Sequence, residues 1–95
     1  MNKQLETFIQ TYLNLEQAYD TSGYLRPTLM AFDESYVQQV REGLSQVLAE
    51  RSLSVEDYER LSDIEFPENE SLYDYLQSMY AYLFEDRPAQ PAPPE

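Results

Sequence analysis

The chain of 95 residues contains no cysteine and no histidine. A disulfide framework and a thiolate metal site are therefore impossible, and the commonest general base, thiolate nucleophile and metal ligand are all absent. The only lysine, Lys3, lies near the N-terminus. The two glycines, Gly23 and Gly43, stand alone, so no glycine-rich phosphate-binding loop is present. We therefore expect a protein that is not an enzyme and that binds no cofactor.

Long apolar segments are also missing. No stretch approaches the roughly 20 apolar residues that cross a bilayer. Residues 1–7 show no basic region followed by an apolar run, so we expect no secretory signal. A chain of this length has room for one hydrophobic core. These features predict a single domain in the cytoplasm.

Acidic side chains are abundant and unevenly placed. The chain has 18 Asp and Glu against six Lys and Arg, and residues 54–86 hold ten of the acids with Arg60 as their only base. A field of one sign repels nucleic acid and anionic membranes and attracts basic protein surfaces. We therefore expect a protein partner with a basic surface, and neither nucleic acid nor membrane as a partner. Alternatively, the acidity only keeps a small domain soluble.

Apolar residues recur at three- and four-residue spacing and predict an all-α fold, a small bundle of four main helices plus one short helix or turn. The main helices are predicted at residues 3–18, 34–51, 55–62 and 70–84, and the short element at residues 27–32. Asp33 and Ser54 are the expected N-caps. Leu15 and Tyr19 continue the apolar face of the first helix. Residues 1–85 would form the single domain, and the proline-rich residues 86–95 a disordered tail.

Two helices carry further signals. Gly43 interrupts a helix at a cost of roughly 1 kcal/mol relative to alanine, which indicates close backbone approach there. The last helix has an apolar arc of about 200°, wider than the stripe of an ordinary surface helix. It is either central in the bundle, which we favour, or it presents a flank with Tyr73 or Tyr82 to a partner.

The segment between the last two helices groups Asp63, Glu65, Glu68 and Glu70. A calcium loop places oxygen ligands at alternating positions and has a central glycine. Pro67 occupies a ligand position here and no glycine follows. The sequence therefore favours a solvated acidic loop, and we expect no metal site.

Several short motifs lie along the chain. They are Leu5-Glu6-x-Phe8-Ile9-x-x-Tyr12-Leu13, Tyr19-Asp20 before the turn at Gly23, Val47-Leu48-Ala49-Glu50 before Leu53-Ser54-Val55-Glu56, and Leu72-Tyr73-Asp74-Tyr75-Leu76. In this order, over roughly residues 4–84, they resemble a family of small all-helical immunity proteins from bacterial contact-dependent growth inhibition systems. The chain lacks the tryptophan that is frequent in the last helix of that family and has Tyr75 or Tyr73 there.

The resemblance implies an immunity protein that binds and neutralises a toxin domain delivered by a neighbouring cell. Many such toxins are nucleases with basic substrate grooves, which an acidic face with tyrosine anchors would complement. An acidic nucleic-acid mimic of the anti-restriction or anti-CRISPR kind is the alternative. Such mimics spread acids along an elongated face, whereas the acids here occupy one third of the chain. The expected partner-binding residues are Glu56, Glu59, Asp63, Glu65, Glu68, Glu70, Tyr73 and Tyr82.

Overall fold

The computed structural model describes residues 1–94, which form five helices and no strand. The helices are α1 (Lys3–Tyr12), α2 (Leu25–Met30), α3 (Glu34–Glu50), α4 (Val55–Ser62) and α5 (Asn69–Phe84). Helix α3 packs against α1, α2 and α5, and α4 packs against α1. The predicted all-α fold with four main helices and one short helix is confirmed. Within residues 1–94, every helix is too short or too polar to cross a membrane.

Helix α1 ends at Tyr12, earlier than predicted, because the next residues form a turn around Asn14. The Asn14 amide donates to the carbonyl oxygen of Gln10 at 2.8 Å, and Oδ1 accepts from the backbone N–H of Glu16 at 3.0 Å. Asparagine side chains that bind nearby backbone groups favour turns over helix. Leu15 therefore leaves the apolar face and is 53% exposed. The prediction that the helix continues through residue 18 is wrong.

The N-caps of α3 and α4 are as predicted. The Asp33 carboxylate accepts from the backbone N–H of Tyr36 at 2.8 Å, and the Ser54 hydroxyl accepts from that of Asp57 at 3.1 Å. Helix α2 begins two residues before Pro27. Proline is tolerated there because the first turn of a helix has no intrahelical acceptor for its N–H groups.

Helix α5 has seven buried residues among its 16, more than any other helix. The rest of the core comes from all four other helices and from the segments between them. The wide apolar arc is therefore buried, as the sequence favoured, although the helix that packs against the most other helices is α3. The buried residues of α5 are Leu72, Tyr73, Tyr75, Leu76, Met79, Tyr82 and Leu83.

Close approach of α1 and α3 at Gly43 is confirmed. The Asn2 side chain accepts from the backbone N–H of Leu5 and donates to the carbonyl oxygen of Gln39, both at 2.8 Å. It thereby caps α1 and joins it to α3. A Cβ atom on Gly43 would lie 2.5 Å from Asn2 Nδ2 and 3.1 Å from the Cβ of Leu5. Only glycine leaves room for this link without displacement.

The C-terminal segment folds back onto the domain as far as Pro94, which corrects the prediction of a disordered tail over residues 86–95. The Tyr19 hydroxyl donates to the carbonyl oxygen of Pro94. Pro93 is buried. Glu95 lies outside the described residues.

Arg26 holds the start of this segment. Its guanidinium donates to the carbonyl oxygens of Tyr82, at 2.8 Å from Nε, and of Arg87. Farther along, the Gln90 amide donates to the carbonyl oxygen of Asp20 at 3.3 Å. Side-chain donors from the domain therefore replace the regular backbone pairing that a proline-rich segment cannot form.

Three aromatic rings form a buried cluster between α4 and α5. The ring centroids of Tyr58 and Phe66 lie 5.6 Å apart, and those of Phe66 and Tyr75 lie 5.3 Å apart. The hydroxyl groups of Tyr58 and Tyr75 are buried and interact with each other, but neither makes a hydrogen bond of ordinary geometry within residues 1–94. Burial raises the pKa of both phenols above the ordinary value, because the charged form would lack solvation.

We expect Gly43→Ala to lower the free energy of unfolding by about 1 kcal/mol. Displacement of Asn2 loses a cap and a hydrogen bond, which outweighs a gain of roughly 1 kcal/mol in helix propensity. Urea unfolding of Gly43→Ala, Asn2→Ala and the double variant measures this. The double variant should be about as stable as Gly43→Ala alone, because both lose the Asn2 contacts and both gain the helix propensity of alanine. If the losses in the free energy of unfolding of the two single variants simply add in the double variant, the contact between Asn2 and position 43 is contradicted.

The tyrosine cluster predicts a loss of stability at alkaline pH. The unfolded chain releases phenolic protons near pH 10, before Tyr58 and Tyr75 do so in the folded protein. Stability should therefore fall above that pH by about 1.4 kcal/mol per pH unit for each of the two. Urea unfolding at several pH values measures the slope. Tyr58→Phe with Tyr75→Phe should reduce the slope, and the remainder comes from Tyr24 and Tyr36, whose pKa values burial also raises. Stability at pH 7 should be little changed, since no hydrogen bond of ordinary geometry is removed. An unchanged slope would contradict this account.

Candidate functional site

The outward face of α4 carries three of the predicted partner-binding acids. Glu56, Glu59 and Asp63 are exposed and, together with Arg60, line one surface depression of about 460 Å³. The three- and four-residue spacing places the acids on one side of the helix. Asp63 is the C-cap of α4 and has a left-handed backbone with φ of 62°. Aspartate adopts this conformation more readily than most residues, so the end of α4 also bears a negative charge.

The segment after α4 extends this negative charge. Ile64 and Phe66 are buried, whereas Glu65 between them and Glu68 after them are exposed. The alternation means that two core side chains hold the loop in place while its carboxylates face water. We use the term acidic surface for the five exposed acids of α4 and this loop, which are Glu56, Glu59, Asp63, Glu65 and Glu68.

Glu70 differs from the other five predicted acids. Its carboxylate lies 2.7 Å from the guanidinium of Arg51, the residue that ends α3. Both side chains remain exposed, so this ion pair contributes little stability. Glu70 is therefore engaged within the molecule and is not part of the acidic surface.

Tyr73 and Tyr82 do not belong to a docking surface, which corrects their prediction as partner-binding residues. Tyr73 is 5% exposed, and its hydroxyl donates to the carbonyl oxygen of Leu53 and accepts from its N–H, both at 2.9 Å. Tyr82 is 3% exposed beneath Arg26, whose guanidinium carbon lies 4.2 Å from the ring centroid. Both rings face the core or an arginine.

Few acids have an ion pair, because acids outnumber basic residues three to one and the arginines mostly bind other groups. All five bind groups within residues 1–94, but only Arg51 and Arg60 bind a carboxylate. Arg60 binds Asp57, and the pKa of Asp57 is lowered first by the Ser54 hydroxyl and also by Arg60. The other arginines bind carbonyl oxygens or hydroxyl groups, as in Arg26 to Tyr82, Arg41 to Tyr80 and Arg87 to Ser78.

The acids are also too dispersed to form a metal site. No group of three acidic side chains within residues 1–94 is arranged to hold a metal ion.

An apolar feature beside the acidic surface is not indicated by the periodicity of the sequence. Leu15 and Leu61 line a depression of about 240 Å³ together with Asp63. The periodicity places Leu15 on a buried helical face, whereas the turn at Asn14 directs it outward. The turn-forming residue Asn14 is the sequence signal that could have indicated this.

We expect Tyr73→Phe to lower the free energy of unfolding by about 2–3 kcal/mol. The substitution leaves the buried N–H and carbonyl groups of Leu53 without their partner. Tyr75→Phe is the matched control, since its hydroxyl makes no hydrogen bond of ordinary geometry and its removal should cost little. Thermal or urea unfolding of the two variants makes the comparison. Equal stability of both would contradict the structural role of Tyr73.

Comparison of the chain with protein-family models, curated proteins and solved structures gave no match. The geometry and charge of the acidic surface and the resemblance described above are therefore the observations that bear on function.

Proposed function

We propose that the protein is an immunity protein that binds and neutralises a cognate bacterial toxin, a nuclease, through the acidic surface. It acts in the cytoplasm and by binding instead of catalysis. The supporting observation is that all five carboxylates of the acidic surface are exposed and have no ion pair with a basic residue within residues 1–94. They are therefore available to a basic partner.

The charge balance of α4 favours a basic protein partner. Helix α4 and its C-cap residue Asp63 together hold four acids against Arg60, which gives a net charge of −3. The loop adds the negative charges of Glu65 and Glu68. Charges of one sign on neighbouring elements accelerate encounter with an oppositely charged surface. A nuclease must bind phosphates and therefore presents such a surface.

The compact scaffold suits an inhibitor that docks without refolding. The loop is held by the buried Ile64 and Phe66, and α4 is held by the buried Tyr58. An ordered surface loses less conformational entropy on association than a flexible one. Tight binding is therefore compatible with a chain of this size.

The proposal predicts that the neighbouring upstream gene encodes a large secreted protein with a variable C-terminal domain, and this domain is the partner to test. We expect the protein to bind this domain, to suppress its nuclease activity and to protect cells that express it. Affinity should weaken as salt concentration rises, because exposed charges are screened. Titration calorimetry at two ionic strengths and a growth assay measure these effects.

Charge reversal of Glu59 and Asp63 together should weaken binding by about tenfold or more, chiefly through slower association. The double Lys variant has a net charge of −8 instead of −12. Glu42→Lys with Glu50→Lys on α3 is the matched control, since it has the same net charge but leaves the acidic surface intact. The control should bind nearly as the parent protein does.

Two results would contradict the proposal. Equal binding by the Glu59 and Asp63 variant would exclude the acidic surface as the docking site. Competition with DNA on several unrelated DNA-binding enzymes, without protection against the toxin domain, would favour the nucleic-acid mimic.

A further inference from the structure

Two surface depressions meet at Asp63. One is lined by the acids of α4, and the other lies between the end of α4 and the turn after α1. The second depression has a volume of about 240 Å³ and is lined by Gln10, Asn14, Leu15, Glu16, Leu61, Ser62 and Asp63. Its position makes it continuous with the acidic surface.

Leucine side chains form the apolar part of this second depression. Leu15 is 53% exposed and belongs to the few large apolar side chains that face solvent. Leu61 is partly buried and packs against the core. Leu61 also lines a further depression on the other side of α4, beside Met1, which is 51% exposed. The two leucines therefore form a small apolar spot within a depression that is otherwise lined by polar groups. Apolar groups surrounded by a polar rim are typical of a protein-binding surface.

The backbone around Leu15 is held firmly. Its N–H donates to the carbonyl oxygen of Ser62 at 2.9 Å, which joins the turn to the end of α4. The Ser62 hydroxyl, itself buried, accepts from the N–H of Ile64 at 3.1 Å and donates to the carbonyl oxygen of Tyr58 at 2.7 Å. Leu15 is therefore presented by an ordered corner, which reduces the entropic cost of binding.

The rim of the depression is acidic. Glu16 and Asp63 are exposed at its edge, and no basic residue lines it. Phosphate groups of a nucleic acid or a lipid would be repelled there. The volume is also below the roughly 300–1,000 Å³ of ordinary small-molecule sites, but it has room for one aliphatic side chain. The partner group that suits the depression is an aliphatic side chain flanked by arginine or lysine.

We propose that the depression at Leu15 and Leu61 binds an aliphatic side chain of a basic protein segment, while the acidic surface binds the cations on either side of it. The proposal deepens the proposed function, because it specifies the chemistry of the toxin segment that docks there. Burial of the aliphatic group slows dissociation, whereas the carboxylates accelerate association.

The substitution Leu15→Ser tests the anchor without disturbing the core. Its matched control is Met30→Ser on α2, since Met30 is 46% exposed and does not line either depression. Surface plasmon resonance with the toxin domain should show about tenfold faster dissociation for Leu15→Ser, with the association rate and its salt dependence unchanged. The control should match the parent protein. Unfolding curves of both variants should coincide with that of the parent.

A peptide probe tests the depression without the toxin. The probe is a helix-forming peptide in which arginines surround a single leucine, and its control has serine in place of that leucine. Titration followed by NMR should shift the methyl signals of Leu15 and Leu61 with the leucine peptide, and much less with the serine peptide. Equal shifts with both peptides would show binding by charge alone and would overturn the inference.

The outcomes separate this inference from the proposed function. The complex of Leu15→Ser with the toxin domain could dissociate at the parental rate while the double Lys variant of Glu59 and Asp63 binds weakly. That result would refute the apolar anchor and leave docking by the acidic surface intact. If the upstream domain does not bind at all, the proposed function fails, and the peptide titration still decides whether the depression takes an aliphatic side chain.

Discussion

The structure depends on how five arginines are used in a chain with 18 acids. Each arginine binds a group within the described chain, and three of them bind carbonyl oxygens or hydroxyl groups instead of carboxylates. Arg26 is the clearest case, because one guanidinium joins α5 to the start of the C-terminal segment. The excess of 18 acids over six basic residues already leaves most carboxylates without a cation, and the use of three arginines on carbonyl and hydroxyl oxygens enlarges this deficit. Within α4 and the following loop, only Asp57 has an ion pair.

The same arginines explain how α5 is covered on its wide apolar arc. Guanidinium groups lie over the rings of Tyr73, Tyr82 and Phe84, with distances of 4.4, 4.2 and 5.8 Å from the guanidinium carbon to the ring centroid. A cation over an aromatic face contributes electrostatic attraction, and the arginine stem covers apolar surface. The flanks of α5 therefore complete the core. The five acids of the acidic surface and the exposed Leu15 lie elsewhere, on α4, on the loop after it and on the turn after α1.

Much of the fold could be predicted because the signals are local. The caps at Asp33 and Ser54 and the regular apolar spacing define α3 and α4 almost to the residue. The acids Glu56, Glu59 and Asp63 could likewise be assigned to one face from their spacing alone. In each case the deciding interaction joins residues only a few positions apart.

The features that could not be predicted depend on contacts between distant residues. The C-terminal segment is held by Arg26 and Tyr19, far away in the sequence, and proline content alone carries no information about such contacts. Burial of Tyr73 depends on its hydrogen bonds to Leu53, whereas composition equally allowed an interface role. Only the exposure of Leu15 had a local cause, the turn-forming side chain of Asn14.

The corner where α4 ends gives the proposed docking site two separable physical functions. Carboxylates act at a distance and lose influence as salt screens them, so the acidic surface governs how often a basic partner arrives. Leu15 and Leu61 act only after water has left the interface, so they govern how long the partner remains. Asp63 lies where the two regions meet and therefore contributes to both. A partner that matches only the charge would bind quickly and leave quickly, and one that also inserts an aliphatic side chain would be retained. Discrimination between a cognate toxin and other basic proteins would thus depend on the apolar contact more than on the charge.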